Sequence, residues 1–373
     1  MRHATKIAAV VGVCALLVAG CGQKPGTSAG GNNTAKKSAG GGETTTAAAE
    51  PFNACMVLDT GGVDDHSFNQ SSWAGMQAAK ADNPNINVSY VSSNSQNDYT
   101  PNLNAETNKS GGCDTVIAVG GLMAQALAKV AKSNPDQHYA EIDSGNQGIS
   151  NIYGIQYNTA QGAFLGGYLA AAMTKTQKVA TFGGLNIPPV TIYMDGFWEG
   201  VQYYNKVKHK NVAVLGWNEK HQKGGVFANS FTDLNKGKSI SQTFINQGAD
   251  IIFPVAGGTG LGAGAAAQAS GGKVNVLWVD TDGCVSAPQY CKYFISSVTK
   301  GLTKSVQEYV EKAADGSFPS GNYIGTLDNG GTGLAPFHQW DSKVPADVKS
   351  ELDQIKSDIV SGKIKITSPA QPK

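Results

Sequence analysis

The chain has 373 residues, room for about two domains, and a hydrophobic fraction of 40% that is ordinary for a globular protein. Its 29 basic residues stand against 28 acidic ones, and the net charge of +1 excludes the basic stripe that a nucleic-acid surface requires. Glycine is high at 47 residues, partly in an N-terminal tract and partly in turns that follow strands.

Residues 1–20 read as a secretion signal. Arg2, His3 and Lys6 give a positive start, and Ile7 to Val18 is an apolar run of signal length, too short to span a membrane comfortably. It closes on Val18-Ala19-Gly20-Cys21, which is similar to a bacterial lipobox, where the cysteine is lipidated and becomes the new N-terminus. Residues 21–50 carry almost no large apolar side chain and are expected to be a disordered tether, with a reach of roughly 30 Å. No other stretch is long and apolar enough to cross a bilayer. The expected location is therefore the extracytoplasmic side of a cell membrane, held by a lipid anchor only.

From Ala54 onward strands and helices alternate. The apolar run to Leu58 predicts a strand. Asp59-Thr-Gly-Gly-Val-Asp-Asp-His-Ser-Phe-Asn-Gln-Ser-Ser-Trp then forms a turn and opens a helix over 71–80. Strands follow at 86–91, 115–119, 139–142 and 152–157, with helices at 101–110, 122–133 and 162–173. The rhythm restarts with strands at 178–182, 211–215, 251–255, 274–279 and 295–298, and helices at 191–206, 236–246, 261–269 and 302–313. A helix over 344–360 and a short strand at 363–366 complete the chain. Such alternation predicts an α/β protein with two doubly wound parallel-sheet lobes around a ligand cleft. We expect residues 51–157 and 292–330 to form the N-terminal lobe, and residues 158–291 and 331–373 the C-terminal lobe.

Several side chains fall where open α/β sheets bind ligands, just past the carboxyl ends of strands. Asp59, Asp143 and Asp280 each end a predicted strand. They could accept hydrogen bonds from a polar ligand, act as paired acids, or simply cap the next helices. Phe68 and Phe231 sit in corresponding loops of the two halves and could stack on a planar group from opposite sides, at about 1–3 kcal/mol per face. Either could equally be core filler. Asp64 and Asp65 read as turn and helix-start residues. Trp73 and Trp198 read as packing, and Trp217 has no clear place. Val255-Ala-Gly-Gly-Thr-Gly-Leu-Gly-Ala can be forced onto a dinucleotide fingerprint but lies late in the chain. A tight turn offering backbone amides to a ligand fits it better. The histidines show no metal or catalytic spacing, and no Gly-x-Ser-x-Gly follows a predicted strand. Of the cysteines beyond Cys21, Cys55 and Cys113 open neighbouring strands, and Cys284 and Cys291 share one loop. The pairs 55–113 and 284–291 are favoured over a zinc site, because no Cys-x-x-Cys is present.

Asp59 to Gln70, Asp195-Gly-Phe-Trp-Glu-Gly-Val, Asn229-Ser-Phe-Thr-Asp, Phe253-Pro-Val-Ala-Gly-Gly-Thr-Gly and Val279-Asp-Thr-Asp stand in order along the chain. With these motifs the chain resembles the basic membrane protein family of lipoproteins, the group that includes the purine nucleoside receptor, from about Ala54 to Ile366. The resemblance implies a type I periplasmic-binding-protein fold with three hinge crossovers, and a monomer that delivers a nucleoside to an ABC permease without a cofactor or metal. It implies that Phe68 and Phe231 stack on the base, and that Asn69 and Asp143 bind its edge. Asp59, Gly258, Asp280 and Lys300 would hold or flank the ribose. The Cys284–Cys291 loop departs from the pattern the resemblance implies. Two alternatives remain at this stage: a sensor for a sugar or signalling molecule, and an exported nucleoside hydrolase using Asp59 and Asp143.

Overall fold

The structure, a computed structural model, describes residues 50–372. The secretion signal, Cys21 and all of the tether but its last residue lie outside the described residues.

Five strands build most of the first sheet: β1 (Phe52–Leu58), β2 (Ile86–Ser92), β3 (Thr115–Val119), β4 (His138–Ile142) and β5 (Ile152–Tyr157). A later strand, β11 (Gly321–Gly325), joins at its edge, and the order β11-β5-β4-β3-β1-β2 is parallel throughout. The second sheet holds β6 (Lys178–Gly183), β7 (Ala213–Leu215), β8 (Ile251–Val255), β9 (Asn275–Asp280) and β10 (Phe294–Lys300). Its order is β12-β10-β9-β8-β6-β7, with β12 (Thr332–Leu334) antiparallel to β10.

Helices cover both faces of each sheet, as parallel sheets require. Along β1, Ala54, Met56 and Leu58 point to the side of α1 (Phe68–Asp82), while Cys55 and Val57 point to the side of α2 (Tyr99–Thr107) and α3 (Ala124–Ser133). On the second sheet, α4 (Thr159–Met173) and α5 (Pro188–Lys208) cover one face, and α6 (Leu234–Asn246) and α7 (Leu261–Ala269) the other. The short α8 (Gly283–Ser286) follows β9. The last two helices are α9 (Leu302–Ala314), packed on α1, and α10 (Ala346–Val360), packed on α4. Helices α4 and α5 lie backbone to backbone: a Cβ on Gly196 would sit 2.2 Å from the Ala160 carbonyl oxygen. The glycines of the Asp195-to-Val201 motif therefore serve this crossing.

Among the described residues the chain passes between the sheets three times, at Asn158, at Gly301 and between Gly325 and Thr332. The crossings are bonded to one another: the Asn158 amide donates to the Gly325 carbonyl at 2.8 Å, and the Gly301 amide to the Gly331 carbonyl at 2.9 Å. Such a bundle of adjacent strands is the geometry of a hinge.

Three expectations need correction. Residues 292–330 do not belong wholly to the first lobe, because β10 lies in the second sheet between β9 and β12. Phe294, Ile295 and Val298 complete the second sheet's core there, and the first lobe regains the chain only at α9. Residues 363–366 form no strand. Ile364 and Ile366 alternate because they pack singly against the second lobe's core, without a partner strand. The short strands β11 and β12 were not foreseen. Both disulfides form as favoured, with Cα–Cα distances of 5.8 Å for Cys55–Cys113 and 4.5 Å for Cys284–Cys291.

Candidate ligand-binding cleft

Between the carboxyl ends of the two sheets lies a cavity walled by residues of both lobes, with about 560 Å³ of space free of protein atoms, part of it open to solvent. The first sheet brings Asp59 from the end of β1, Gly120 from β3 and Asp143 from β4. The second brings Val255 and Gly257 from β8, Asp280 from β9 and Lys300 from β10. Phe68 and Asn69, at the start of α1, and Phe231, in the loop before α6, complete the walls with Tyr193 of α5.

Lys300 is the centre of charge. Its ammonium donates to both carboxylate oxygens of Asp143, at 2.8 and 3.0 Å, and stands 3.7 Å from Asp280. The Asp143 bond joins the two lobes. The same ammonium lies 4.8 Å from the Phe68 ring centroid and 5.4 Å from that of Tyr193, a cation–π arrangement at a buried lysine. Asp280 accepts from the Tyr193 hydroxyl at 2.8 Å and from the Ser67 hydroxyl at 2.6 Å. Asp59 accepts from the Asn69 amide at 2.8 Å and from the Gly61 backbone at 3.0 Å. Its carboxylate backs onto Gly120, where φ is +112° and a Cβ would stand 2.7 Å from it. Only glycine fits both conditions.

None of Asp59, Asp143 and Asp280 caps a helix. Asp143 and Asp280 hold left-handed backbone, with φ of +69° and +65°, at the ends of β4 and β9. Asp65 is the capping residue: its carboxylate accepts from the amides of Ser67, Asn69 and Gln70 at 2.9–3.1 Å. It also lines the cavity. Burial pushes the Asp65 carboxyl up to about 7, against the pull of those three amides. Burial likewise raises Asp59 and Asp143, and for Asp143 the Lys300 charge opposes the rise without overcoming it. Burial acts to lower Lys300, but the Asp143 and Asp280 carboxylates outweigh it and hold the ammonium charged. The cavity thus sets three strand-end carboxyl groups and Asp65 against one cation.

One strong acceptor in it has no partner. The Asn69 side chain is 1% exposed and gives its amide nitrogen to Asp59, leaving its oxygen unbonded among the protein atoms. A buried unsatisfied carbonyl costs about 1–3 kcal/mol. A donor from a bound molecule would remove that cost.

Asp59, Phe68, Asn69, Asp143, Phe231, Asp280 and Lys300 all line the cavity; Gly258 does not. Its neighbour Gly257, at φ +51°, takes the wall position. The glycine-rich turn is also less available than expected, because the Thr259 amide is bonded to the Phe231 carbonyl at 3.0 Å. That turn holds the Phe231 loop in place. Tyr193 was missed: its helix gave only an apolar period, although the Pro188-Pro189 start marks the point where α5 meets the cleft. Trp217 finds its place outside the cleft, buried with its indole nitrogen 2.9 Å from Asp195.

The family described as ABC transporter substrate-binding protein, PnrA-like (Bmp), matches residues 52–369. The chain belongs to this family. Members bind a small molecule outside the cytoplasm and work with a membrane permease. A Listeria monocytogenes protein named CD4+ T-cell-stimulating antigen is 32% identical over 340 residues, covering 87% of this chain and 90% of that one. The Lactococcus lactis ABC transporter nucleoside-binding protein BmpA is 28% identical, covering 84% and 89%. A solved solute-binding protein of an ABC transporter system from Aeropyrum pernix has the same fold, with a TM-score of 0.77, 24% identity and coverage of 86% and 94%. This Bmp-family chain thus has the type I periplasmic-binding-protein fold that its motifs implied. No helix among the described residues is long and apolar enough to cross a membrane.

Proposed function

We propose that this Bmp-family protein is the lipid-anchored, monomeric binding component of an ABC importer for purine nucleosides. The observation that carries the reading is the composition of one cavity. It offers three aromatic side chains (Phe68, Tyr193 and Phe231), a free Asn69 oxygen, and carboxylates of both lobes around a single lysine. A purine supplies a flat face and N–H donors. A ribose supplies hydroxyl donors that suit Asp59 and Asp280. In this reading Phe68 and Phe231 contact the base, Asn69 and Asp143 bind its edge, and Lys300 donates to ribose or ring oxygens. The excess of carboxylates favours a neutral ligand over a phosphorylated one. The named activity of the Lactococcus relative supports the same class.

The test is calorimetric titration of protein that has been unfolded and refolded to remove carried-over ligand. Guanosine, adenosine, inosine, cytidine and ribose are added in turn. Purine nucleosides are expected to bind at micromolar or tighter Kd, about −8 kcal/mol, with ribose silent. Ribose binding as tightly as guanosine, or silence for all five, would overturn the reading.

A further inference from the structure

The disulfide-braced loop after β9 is the part of the sequence that the cleft itself leaves unexplained. We infer that this loop and His66 form a latch between the lobes, with His66 as a positioning residue that sets how fast a bound molecule leaves. The inference rests on the reading of the cavity as a closing ligand cleft.

His66 belongs to the first lobe, in the turn before α1, and is held by the second lobe at two points. Its ring Nδ1 donates to the Ser286 carbonyl at 2.5 Å, and its own carbonyl accepts from the Trp278 indole nitrogen at 3.3 Å. Next to it, Ser67 donates to Asp280 across the same seam. The phenylalanine and asparagine of the cavity wall, Phe68 and Asn69, come directly after. Fixing residues 66–67 on the second lobe therefore fixes the wall.

The acceptor is positioned by the loop. Ser286 ends the single turn of α8, whose start is bonded by the Asp282 carboxylate to the Cys284 amide at 3.0 Å. Cys284, in that turn, is bridged to Cys291. Asp282 is itself fixed by His338 at 2.6 Å, and the Trp340 indole holds the Lys292 carbonyl at 3.1 Å. A four-residue helical turn has too few internal bonds to persist alone. The bridge closes it, and Gly283 allows it to lie against Trp278 and Phe294, where a Cβ would stand within 2.8 Å of both rings. Ring, carbonyl and loop thus form one unit: without the bridge, Ser286 is held against His66 only by the turn's own backbone bonds and the Asp282 and Ser297 contacts.

His66 has φ +57°, a left-handed backbone that glycine adopts without cost and asparagine tolerates. This gives two clean variants. His66→Gly keeps the backbone and removes the donor; His66→Asn places an amide nitrogen where Nδ1 stood. The third is Cys284→Ser/Cys291→Ser. Release of guanosine from the full chain is followed by stopped-flow tryptophan fluorescence, and amide exchange over residues 62–70 is measured on ligand-free protein. His66→Gly and the double serine variant should each release guanosine about three- to tenfold faster, with association unchanged. Their combination should be no faster than either alone, because both break one unit. His66→Asn should keep the parent rate. Wild-type release in His66→Gly, or rates that multiply in the combination, would overturn the latch. If the parent protein binds no nucleoside, the functional reading fails separately. The exchange data then decide the latch: faster exchange in His66→Gly and in the serine variant supports it, and unchanged exchange rejects it.

Discussion

Replacing Lys300 by methionine tests whether the cleft is electrostatically organised as described. Methionine keeps the apolar stem and removes the ammonium. Lys300 is 6% exposed, and its loss leaves Asp143 and Asp280 facing each other in a buried site. Breaking a buried pair from one side costs about 3–5 kcal/mol. The protein has one escape, which is to protonate a carboxylate. Burial has already raised Asp143, so that proton is taken up readily as the pH falls. Each unit of pH lowers the cost by at most about 1.4 kcal/mol per proton. The destabilisation should therefore be largest at pH 7.5 and smaller by roughly 2–3 kcal/mol at pH 5.5. Adding Asp143→Asn removes the orphaned charge and should restore most of the loss at pH 7.5. The measurement is the urea midpoint of ligand-free parent, single and double variants at both pH values. A penalty that does not change with pH, together with no rescue by Asp143→Asn, would show that Lys300 is not the charge partner of these carboxylates.

Truncating Phe231 to alanine should weaken guanosine binding by about 1–3 kcal/mol, or fivefold to a hundredfold and more; a change within twofold by calorimetry would return Phe231 to the role of filler. Guanosine 5′-monophosphate should bind at least a hundredfold more weakly than guanosine, since one added negative charge about 6 Å from a carboxylate costs roughly 3 kcal/mol at an effective dielectric of about 20. Equal affinities in the same titration would contradict the anionic character of the site. The raised Asp65 carboxyl gives a pH dependence of stability with a definite sign. Its folded value of about 7 lies above the ordinary 3.8, so the folded state holds the extra proton, and the stability this contributes is present below about pH 4 and lost as the pH rises through 7. Asp65→Asn, which still caps α1, should flatten that part of the thermal-midpoint profile between pH 5 and 7.5; an unchanged slope would mean that Asp65 is ionised throughout.

Most of the architecture was legible because its strands are delimited by the sequence itself. Runs such as Thr115–Val119 and Ile251–Val255 are fully buried and end in polar or glycine turns. β11 and β12 escaped because Gly-Asn-Tyr-Ile-Gly and Thr-Gly-Leu carry no period of their own. Their pairing is decided by β5 and β10, which already stand there. The lobe assignment of β10 failed for a related reason. Its residues match either sheet, and only the cores formed with β9 and α4 select the second.

The site shows the same division between what a segment says and what its surroundings decide. Strand-end aspartates were found from position alone, since a parallel strand must deliver its last side chain to the ligand edge. Gly258 stands one residue beyond the wall position that Gly257 takes, because a run of small residues fixes the turn but not which of them faces inward. Tyr193 gave no signal, as its hydroxyl acquires meaning only when Asp280 arrives from another strand 87 positions away. The family resemblance alone marked Lys300 as a ligand residue, and its dominant partner, Asp143, belongs to the opposite lobe. An interlobe ion pair of this kind makes the charge state of the cleft depend on closure: opening would separate the ammonium from Asp143 while leaving Asp280 beside it. A ligand that gives donors to these carboxylates stabilises the closed arrangement by the same interaction that binds it, which is the differential affinity that lobe closure requires.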